Sequence, residues 1–180
     1  LMTTSGRIEL MAPAGNFESM QAALDNGCDS IYFGVEQLNM RARATVNFVL
    51  DDLPEIARRC NEKNVRTYLT LNTIIYDHDL SIVKTLLTKA KEAGITAVIA
   101  SDQAVIMTAR TIGIEVHIST QLNVTNIETV KFYAMFADTI VLSRELSLRQ
   151  VKKITEQIEK EQVKGPSGNL VEIEIFGHGA

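Results

Sequence analysis

The fold is decided by residues 95–118, which read ITAVIASDQAVIMTARTIGIEVHI. A short run of β-branched and small apolar residues at Ala97–Ala100 predicts a strand. A helical pattern follows at Gln103–Arg110, and a second strand pattern follows at Glu115–Ile118. The apolar period thus changes from strand to helix and back to strand. This order is typical of a βα unit in which helices cover a parallel sheet.

The same alternation extends in both directions along the chain. Besides the two strands above, the pattern predicts five more, at Ile8–Met11, Ser30–Phe33, Arg66–Leu71, Thr139–Leu142 and Val171–Phe176. Helices are predicted from Asn16 to Asp25, after Asp51 or Asp52, from Asp79 to Ala93, at Ile127–Phe136 and after Ser147. In the helix after Asp79 the apolar stripe includes Leu80, and in the helix after Ser147 it includes Leu148.

The βα units recur at roughly 30 residues, the period of a TIM barrel. We therefore predict an α/β fold of the TIM-barrel-like (β/α) type, incomplete, with about seven parallel strands. The rival is a doubly wound open sheet, but Ala12-Pro13-Ala14-Gly15-Asn16 after the first strand lacks the glycine pattern of a dinucleotide-binding turn. Residues 1–7 are expected to be a disordered or tag-like start, and residues 8–180 a single partial domain.

Composition excludes several classes of function. The net charge of −4 gives no bulk attraction to nucleic acid, although a protein of this net charge can still have a local basic groove. Two cysteines, Cys28 and Cys60, lack the spacing of a disulfide framework or a zinc site and indicate a reducing, cytoplasmic location. No apolar run approaches the roughly 20 residues that span a bilayer, so no membrane association is expected.

Polar side chains that follow the strands are candidates for a ligand site, because barrel sites lie at the carboxyl ends of the strands. They comprise three arginines and three amides: Arg41, Arg43, Arg144, Asn72, Gln121 and Asn123. Arginine forks bind planar carboxylates and phosphates. The pattern favours a pocket for an anionic ligand. The alternative is that these groups tie loops together through Glu36, Asp102 and Glu145.

Histidines and serines near the same edge leave the chemistry open. His117 alternates with apolar neighbours and fits either a core position or a site, whereas His178 lies between two glycines at a strand end. Ser101, Ser119 and Ser143 supply hydroxyls, but no GxSxG turn accompanies them. Clustered carboxylate and histidine ligands are lacking, so we expect no metal to be held by these residues.

Several motifs together resemble a known family. They are Glu9–Asn16, Ile31–Gly34, Asn39–Ala44, Tyr68–Asn72, His117–Asn126 and Val141–Ser147, in that order along the chain. This series is similar to the N-terminal region of the collagenase-like peptidases, peptidase family U32. The resemblance covers residues 8–180 and implies a TIM-barrel-like domain in a peptidase. It also implies an alternative, the hydroxylation of tRNA or rRNA bases, which in relatives is associated with an iron–sulfur cluster and prephenate.

The resemblance implies roles for individual residues. Glu145 or His178 would act as general base, and the arginines and amides named above would bind a peptide, a prephenate-like dicarboxylate or RNA. In the family a cysteine group directly follows a segment like His178-Gly179-Ala180, where this sequence ends; Cys28 and Cys60 do not match it. We therefore expect that this chain holds no cofactor and is inactive alone; the alternative is that it only binds an anion or RNA. A seven-stranded sheet leaves its first and last strands unpaired, so we also expect homodimers through the exposed sheet edges, an edge covered by the helix before Lys164, or low stability.

Overall fold

A computed structural model of the chain describes residues 7–36 and 48–177. In these residues the strands are β1 (Met11–Pro13), β2 (Ser30–Phe33), β3 (Arg66–Leu71), β4 (Ala97–Ala100), β5 (Glu115–Ile118), β6 (Thr139–Val141) and β7 (Glu172–Glu174). The helices are α1 (Phe17–Asp25), α2 (Leu53–Glu62), α3 (Leu80–Ala93), α4 (Gln103–Ile112), α5 (Ile127–Ala134) and α6 (Leu148–Glu161). This repeat of strand and helix confirms the predicted TIM-barrel-like α/β fold with seven parallel strands.

The chain forms two compact units. Within the described residues, the first unit comprises residues 9–36 and 48–115, and the second comprises residues 7–8 and 116–177. In the first unit, β1 pairs with β2, β2 with β3 and β3 with β4, all in parallel. In the second unit, β5 pairs with β6 and β6 with β7, again in parallel. Parallel strands joined by helical crossovers bury both faces of the sheet, which explains their continuous apolar sequences.

The core of the first unit includes a cluster of Tyr68, Ala97 and Ile99, against which Met11 and Tyr32 pack. The register places Tyr32 beside Tyr68 and Tyr68 beside Ala97, so these side chains share one face of the sheet. Leu69 and Val98 alternate with them and are buried on the opposite face, which the helices cover.

Helix ends in the first unit follow from local chemistry. The Asn16 side chain accepts a hydrogen bond of 2.8 Å from the Ser19 amide and caps α1. Asp102 caps α4 in the same way through the Ala104 amide. Gly94 ends α3 in the left-handed conformation, with φ 91°, which glycine adopts without steric cost. The predicted limits of α1 and α3 are therefore confirmed.

In the second unit, Asn126 caps α5 and Ser147 caps α6. Gln150 Oε1 accepts a hydrogen bond of 2.8 Å from the Ser147 amide and completes a capping box. The turn before β7 is tied to the start of β6, because Asp138 Oδ1 accepts hydrogen bonds from the amide and hydroxyl of Ser167 at 3.0 and 2.6 Å. A Cβ at Gly165 would lie 2.9 Å from Asp138 Cα, so this close approach requires glycine.

Several details of the sequence prediction were wrong. β6 and α5 end earlier than predicted, at Val141 and Ala134, and β7 is confined to Glu172–Glu174. β1 begins at Met11 rather than Ile8, because its register pairs Met11 with Ser30, and Ile8 and Leu10 are exposed. Leu80 is 43% exposed and Leu148 is 76% exposed. Each is the first residue of its helix and lies beyond the part of the helix that packs on the sheet. Among the described residues, no helix has the length and apolar character needed to cross a membrane.

Candidate functional site

The carboxyl ends of β5 and β6 carry two adjacent loops in the second unit. Val124 and Leu142 form an isolated parallel bridge. The Ser143 amide donates to the Val124 carbonyl at 3.0 Å, and the Thr120 hydroxyl donates to the Leu142 carbonyl at 3.5 Å. These bonds hold residues 119–124 beside residues 142–146. The structure thereby brings four predicted site residues to one edge of the sheet: Gln121, Asn123, Arg144 and Glu145.

The loop after β5 exposes the side-chain amides of Gln121 and Asn123. Ser119 Oγ accepts a hydrogen bond from the Gln121 amide at 3.3 Å and opens a single 3₁₀ turn over Thr120–Leu122. Asn123 ends the turn at φ 50°, a left-handed conformation that asparagine tolerates better than most residues. The Gln121 and Asn123 side chains are exposed. They are available to bond a ligand.

Arg144 lies against an aromatic ring at the end of β7. Its guanidinium carbon is 4.2 Å from the centroid of the Phe176 ring, a cation–π contact. Among residues 7–36 and 48–177, no carboxylate forms an ion pair with Arg144. Both side chains are exposed enough for solvent to reach them. The guanidinium is therefore held in place by the ring and has donors left for an anion.

A cavity of about 340 Å³ adjoins this arginine. Its walls come from the segment between β6 and α6, the first turn of α6 and the two residues after β7. Six of these eight residues are apolar: Leu142, Ser143, Arg144, Leu146, Leu148, Val151, Ile175 and Phe176. The exposed side chain of Leu148, which the sequence prediction placed in the core, forms part of the cavity wall. An apolar cavity with one charged group suits a ligand that has an apolar body and an anionic end.

Ser143 and Glu145 form a polar pair at the same edge. The Ser143 hydroxyl donates a hydrogen bond to the Glu145 carboxylate. Ser143 is buried and Glu145 is exposed, so the bond fixes one carboxylate oxygen while the group as a whole stays open to solvent. This geometry suits a carboxylate that accepts a proton from a bound reactant.

Buried polar side chains occupy the sheet face below this edge. The register aligns His117 with Thr139 and Val141 with Glu174, so the three polar groups share one face of β5, β6 and β7. His117 and Thr139 are 2% exposed and Glu174 is 8% exposed. The burial of His117 supports the core interpretation of this residue. Neither Glu174 nor Phe176 was predicted to be a site residue. The position of Glu174 inside a predicted strand was a signal that could have identified it.

Of the other predicted site residues, the structure describes Asn72 alone. Asn72 follows β3 in the first unit, where its carbonyl accepts a hydrogen bond from the Ser101 hydroxyl at 3.1 Å. Arg41, Arg43 and His178 lie outside the described residues. The structure therefore places half of the predicted set together and leaves the roles of the remainder as predictions.

The residues of the described part do not fit a metal or an iron–sulfur cluster. Within it, no three His, Cys, Asp or Glu side chains are grouped to hold a metal ion. Cys28 and Cys60 are free thiols, both buried. Burial, and secondarily the neighbouring Cys28, raises the pKa of Cys60 to about 11; burial likewise raises the pKa of Cys28. Protonated, enclosed thiols are poor metal ligands.

Three comparisons place this architecture among known proteins. The model of peptidase family U32 matches residues 15–180. The "Collagenase" of Porphyromonas gingivalis is 51% identical over 172 residues, which are 96% of this chain and 42% of that protein. The "tRNA hydroxylation protein P1" of Bacillus subtilis is 29% identical over 175 residues, 96% of this chain and 39% of that protein. The chain thus spans about two fifths of the length of these relatives.

A solved structure supports the fold. The chain resembles a U32 peptidase with a TM-score of 0.66 and 15% sequence identity, over 88% of this chain and 68% of that one. At this identity the likeness concerns the architecture alone.

Proposed function

The chain belongs to peptidase family U32, and from this membership we propose that the complete protein hydrolyses peptides and that the edge formed by β5, β6 and β7 binds the substrate. The observation that carries the proposal is the position of Arg144. Its guanidinium is fixed by Phe176 at the mouth of an apolar cavity. A carboxylate of the peptide would bind the arginine, and an adjoining apolar side chain would enter the cavity.

The neighbouring polar groups suit an extended peptide. Gln121 and Asn123 each carry an amide with two donors and one acceptor, which match the carbonyl and N–H groups of a peptide backbone. Both side chains are exposed beside the segment that carries Arg144. In this proposal they orient the peptide across the edge of the sheet. Arg41, Arg43 and Asn72 remain ligand-binding residues that the family resemblance implies, and Asn72 belongs to the first unit.

Glu145 is the proposed general base. One of its oxygens accepts the hydrogen bond from Ser143, and the other accepts a proton from a water molecule. The water oxygen forms a bond to the peptide carbonyl carbon. The proton then passes from Glu145 to the departing amine nitrogen as the C–N bond breaks, which balances the hydrolysis. His178 remains the alternative base.

Gelatin cleavage by the complete protein tests this proposal. We expect Glu145→Gln to reduce the rate by roughly 100-fold or more, the contribution typical of a general base. Glu156→Gln, at an exposed position on α6, is the matched control and should retain the wild-type rate. Absence of cleavage above that of a mock preparation would refute the peptidase function.

The similarity to a tRNA hydroxylation protein supports a second candidate function, base hydroxylation of tRNA or rRNA. Arg144 would then bind a phosphate or a prephenate-like carboxylate. An iron–sulfur cluster would require cysteines other than the buried Cys28 and Cys60. Mass spectrometry of tRNA and rRNA from a deletion strain tests this candidate, and unchanged modification profiles would count against it.

Location and assembly complete the proposal. We propose a cytoplasmic protein, in keeping with two free, buried thiols. One edge of β1 is paired with β2, and one edge of β7 is paired with β6. Pairing of a second copy along the remaining edge of such a strand would give the proposed homodimer.

A further inference from the structure

A second surface lies in the first unit, in the segment between β3 and α3. We define the 74–80 surface by five side chains: Ile74, Tyr76, Asp77, His78 and Leu80. Ile74 is 75% exposed, Tyr76 61% and Leu80 43%. Large apolar side chains that are exposed close together mark interaction sites more often than single ones do.

Hydrogen bonds fix the backbone of this segment. The Ile75 amide donates to Asp102 Oδ2 at 3.2 Å and the Tyr76 amide donates to Asp79 Oδ2 at 3.0 Å. The Asp79 amide returns a bond of 2.8 Å to the Tyr76 carbonyl. The exposed side chains are thus presented by a braced loop, so a ligand would not need to order it.

The two rings of the surface are aligned. The Tyr76 and His78 rings are parallel within 2°, with centroids 5.8 Å apart. Asp77 lies between them in the sequence and is exposed. Asp79 is within 3.5 Å of His78. Aromatic faces beside carboxylates attract cations, because the ring quadrupole and the negative charge act in the same direction.

The charge of the segment selects its partner. Residues 74–80 contain Asp77 and Asp79 but no lysine or arginine; the flanking cations are Arg66, which is paired with Glu9, and Lys84 on α3. The phosphates of RNA would be repelled by these carboxylates, and no cation of the segment would offset the repulsion. A purely apolar ligand would form no favourable contact with the exposed Asp77 carboxylate. A peptide with arginine or lysine side chains complements both the rings and the charge.

We propose that the 74–80 surface binds a basic side chain of an extended peptide, with the cation against Tyr76 and beside Asp77 and with apolar neighbours against Ile74 and Leu80. This binding goes beyond the proposed function and does not require that the protein hydrolyse peptides. Its partner is a protein segment rich in arginine or lysine rather than RNA or a second copy of this chain.

Fluorescence anisotropy with the full 180-residue chain tests this inference. The probes are a fluorescein-labelled peptide of Gly-Pro-Arg repeats, the same peptide with Glu in place of Arg, and a labelled oligouridine. We expect the arginine peptide alone to bind. Tyr76→Ala and Asp77→Asn should each weaken its affinity about fivefold, as for an exposed cation–π contact or ion pair, and Tyr76→Phe should retain it.

Matched controls separate this site from general attraction to an acidic protein. Phe132→Ala removes an aromatic side chain that is 52% exposed on α5, and Glu156→Gln removes an exposed charge on α6; both should bind as wild type. Equal affinity of the Tyr76→Ala variant and the wild type would overturn the proposal. It would also be overturned by preferential binding of oligouridine, or by a dimer in sedimentation that Tyr76→Ala dissociates. Loss of gelatin cleavage would leave these binding results unaffected.

Discussion

The Tyr68 hydroxyl donates a hydrogen bond of 2.7 Å to Glu9 Oε1 inside the first unit. The Glu9 side chain is only 1% exposed, and the Arg66 guanidinium pairs with its other oxygen. The two partners of Glu9 lie two residues apart on β3 and therefore on the same face of the sheet. A buried carboxylate before the first strand is thereby stabilised by the third.

Tyr68→Phe should lower the free energy of unfolding by about 1–3 kcal/mol, because it leaves a buried, charged acceptor without its donor. Urea denaturation monitored by circular dichroism measures the change. Tyr32→Phe is the control: Tyr32 packs against the same cluster, and no hydrogen bond involves its hydroxyl within the described residues. Equal losses in the two variants would contradict a specific role for the Glu9 contact.

Alkaline pH should weaken the protein through the same tyrosine. Burial, followed by the hydrogen bond to Glu9, raises the pKa of Tyr68 well above its ordinary value of about 10. Above pH 10 the unfolded chain loses this proton while the folded chain keeps it, so stability falls as pH rises. The stability difference between wild type and Tyr68→Phe should therefore narrow above pH 10. A difference that is constant between pH 8 and pH 11 would contradict the raised pKa.

The two thiols should resist modification in the folded protein. Cys60 is fully buried and its pKa is raised to about 11, so little thiolate forms at pH 8. We expect reaction with a disulfide reagent to be slow in buffer and fast in urea. Ser81→Cys, which adds a thiol at an exposed position on α3, provides the comparison. Reaction of the native cysteines as fast as this added thiol would contradict the burial.

Arg144→Ala should weaken the binding of 3-phenylpropionate, a small carboxylate with an apolar body, by about tenfold, the loss expected for one charge-assisted contact. Calorimetry measures the affinity. The substitution should leave the thermal unfolding temperature nearly unchanged, since Arg144 is exposed. Arg149→Ala removes a second exposed arginine of the same unit and should bind as wild type. Equal affinities of both variants would remove Arg144 from the site.

The sequence predicted those strands whose β-branched residues are bounded by turns. Ser30–Phe33, Arg66–Leu71, Ala97–Ala100 and Glu115–Ile118 match the structure residue for residue. At β1 the prediction was shifted, because alternation at Ile8–Met11 resembles a strand while the hydrogen bonds form at Met11–Pro13. Leu148 matched the apolar stripe of α6, but a stripe does not reveal where a helix extends past the sheet.

The part of the site that could be predicted from sequence is the part set by the order of the parallel strands. Placing Gln121 and Arg144 at one edge required only the order of β5 and β6 and the rule that such sheets collect their loops at the carboxyl ends. The contact of Arg144 with Phe176 joins residues far apart in sequence and depends on a side-chain conformation. The bond between Glu9 and Tyr68, 59 residues apart, is of the same kind. Periodicity carries no information about either contact.

The strand pairs of the first unit each join neighbours in the chain, from β1 with β2 to β3 with β4. Such pairing keeps loop closure short, and short closures favour fast folding. During synthesis each new strand leaves the ribosome next to a partner that is already available. The Glu9 carboxylate stays hydrated until β3 has been synthesised, because both of its partners, Arg66 and Tyr68, lie on that strand. We expect this unit to assemble co-translationally in chain order, with the formation of the Glu9–Tyr68 bond marking the arrival of its third strand.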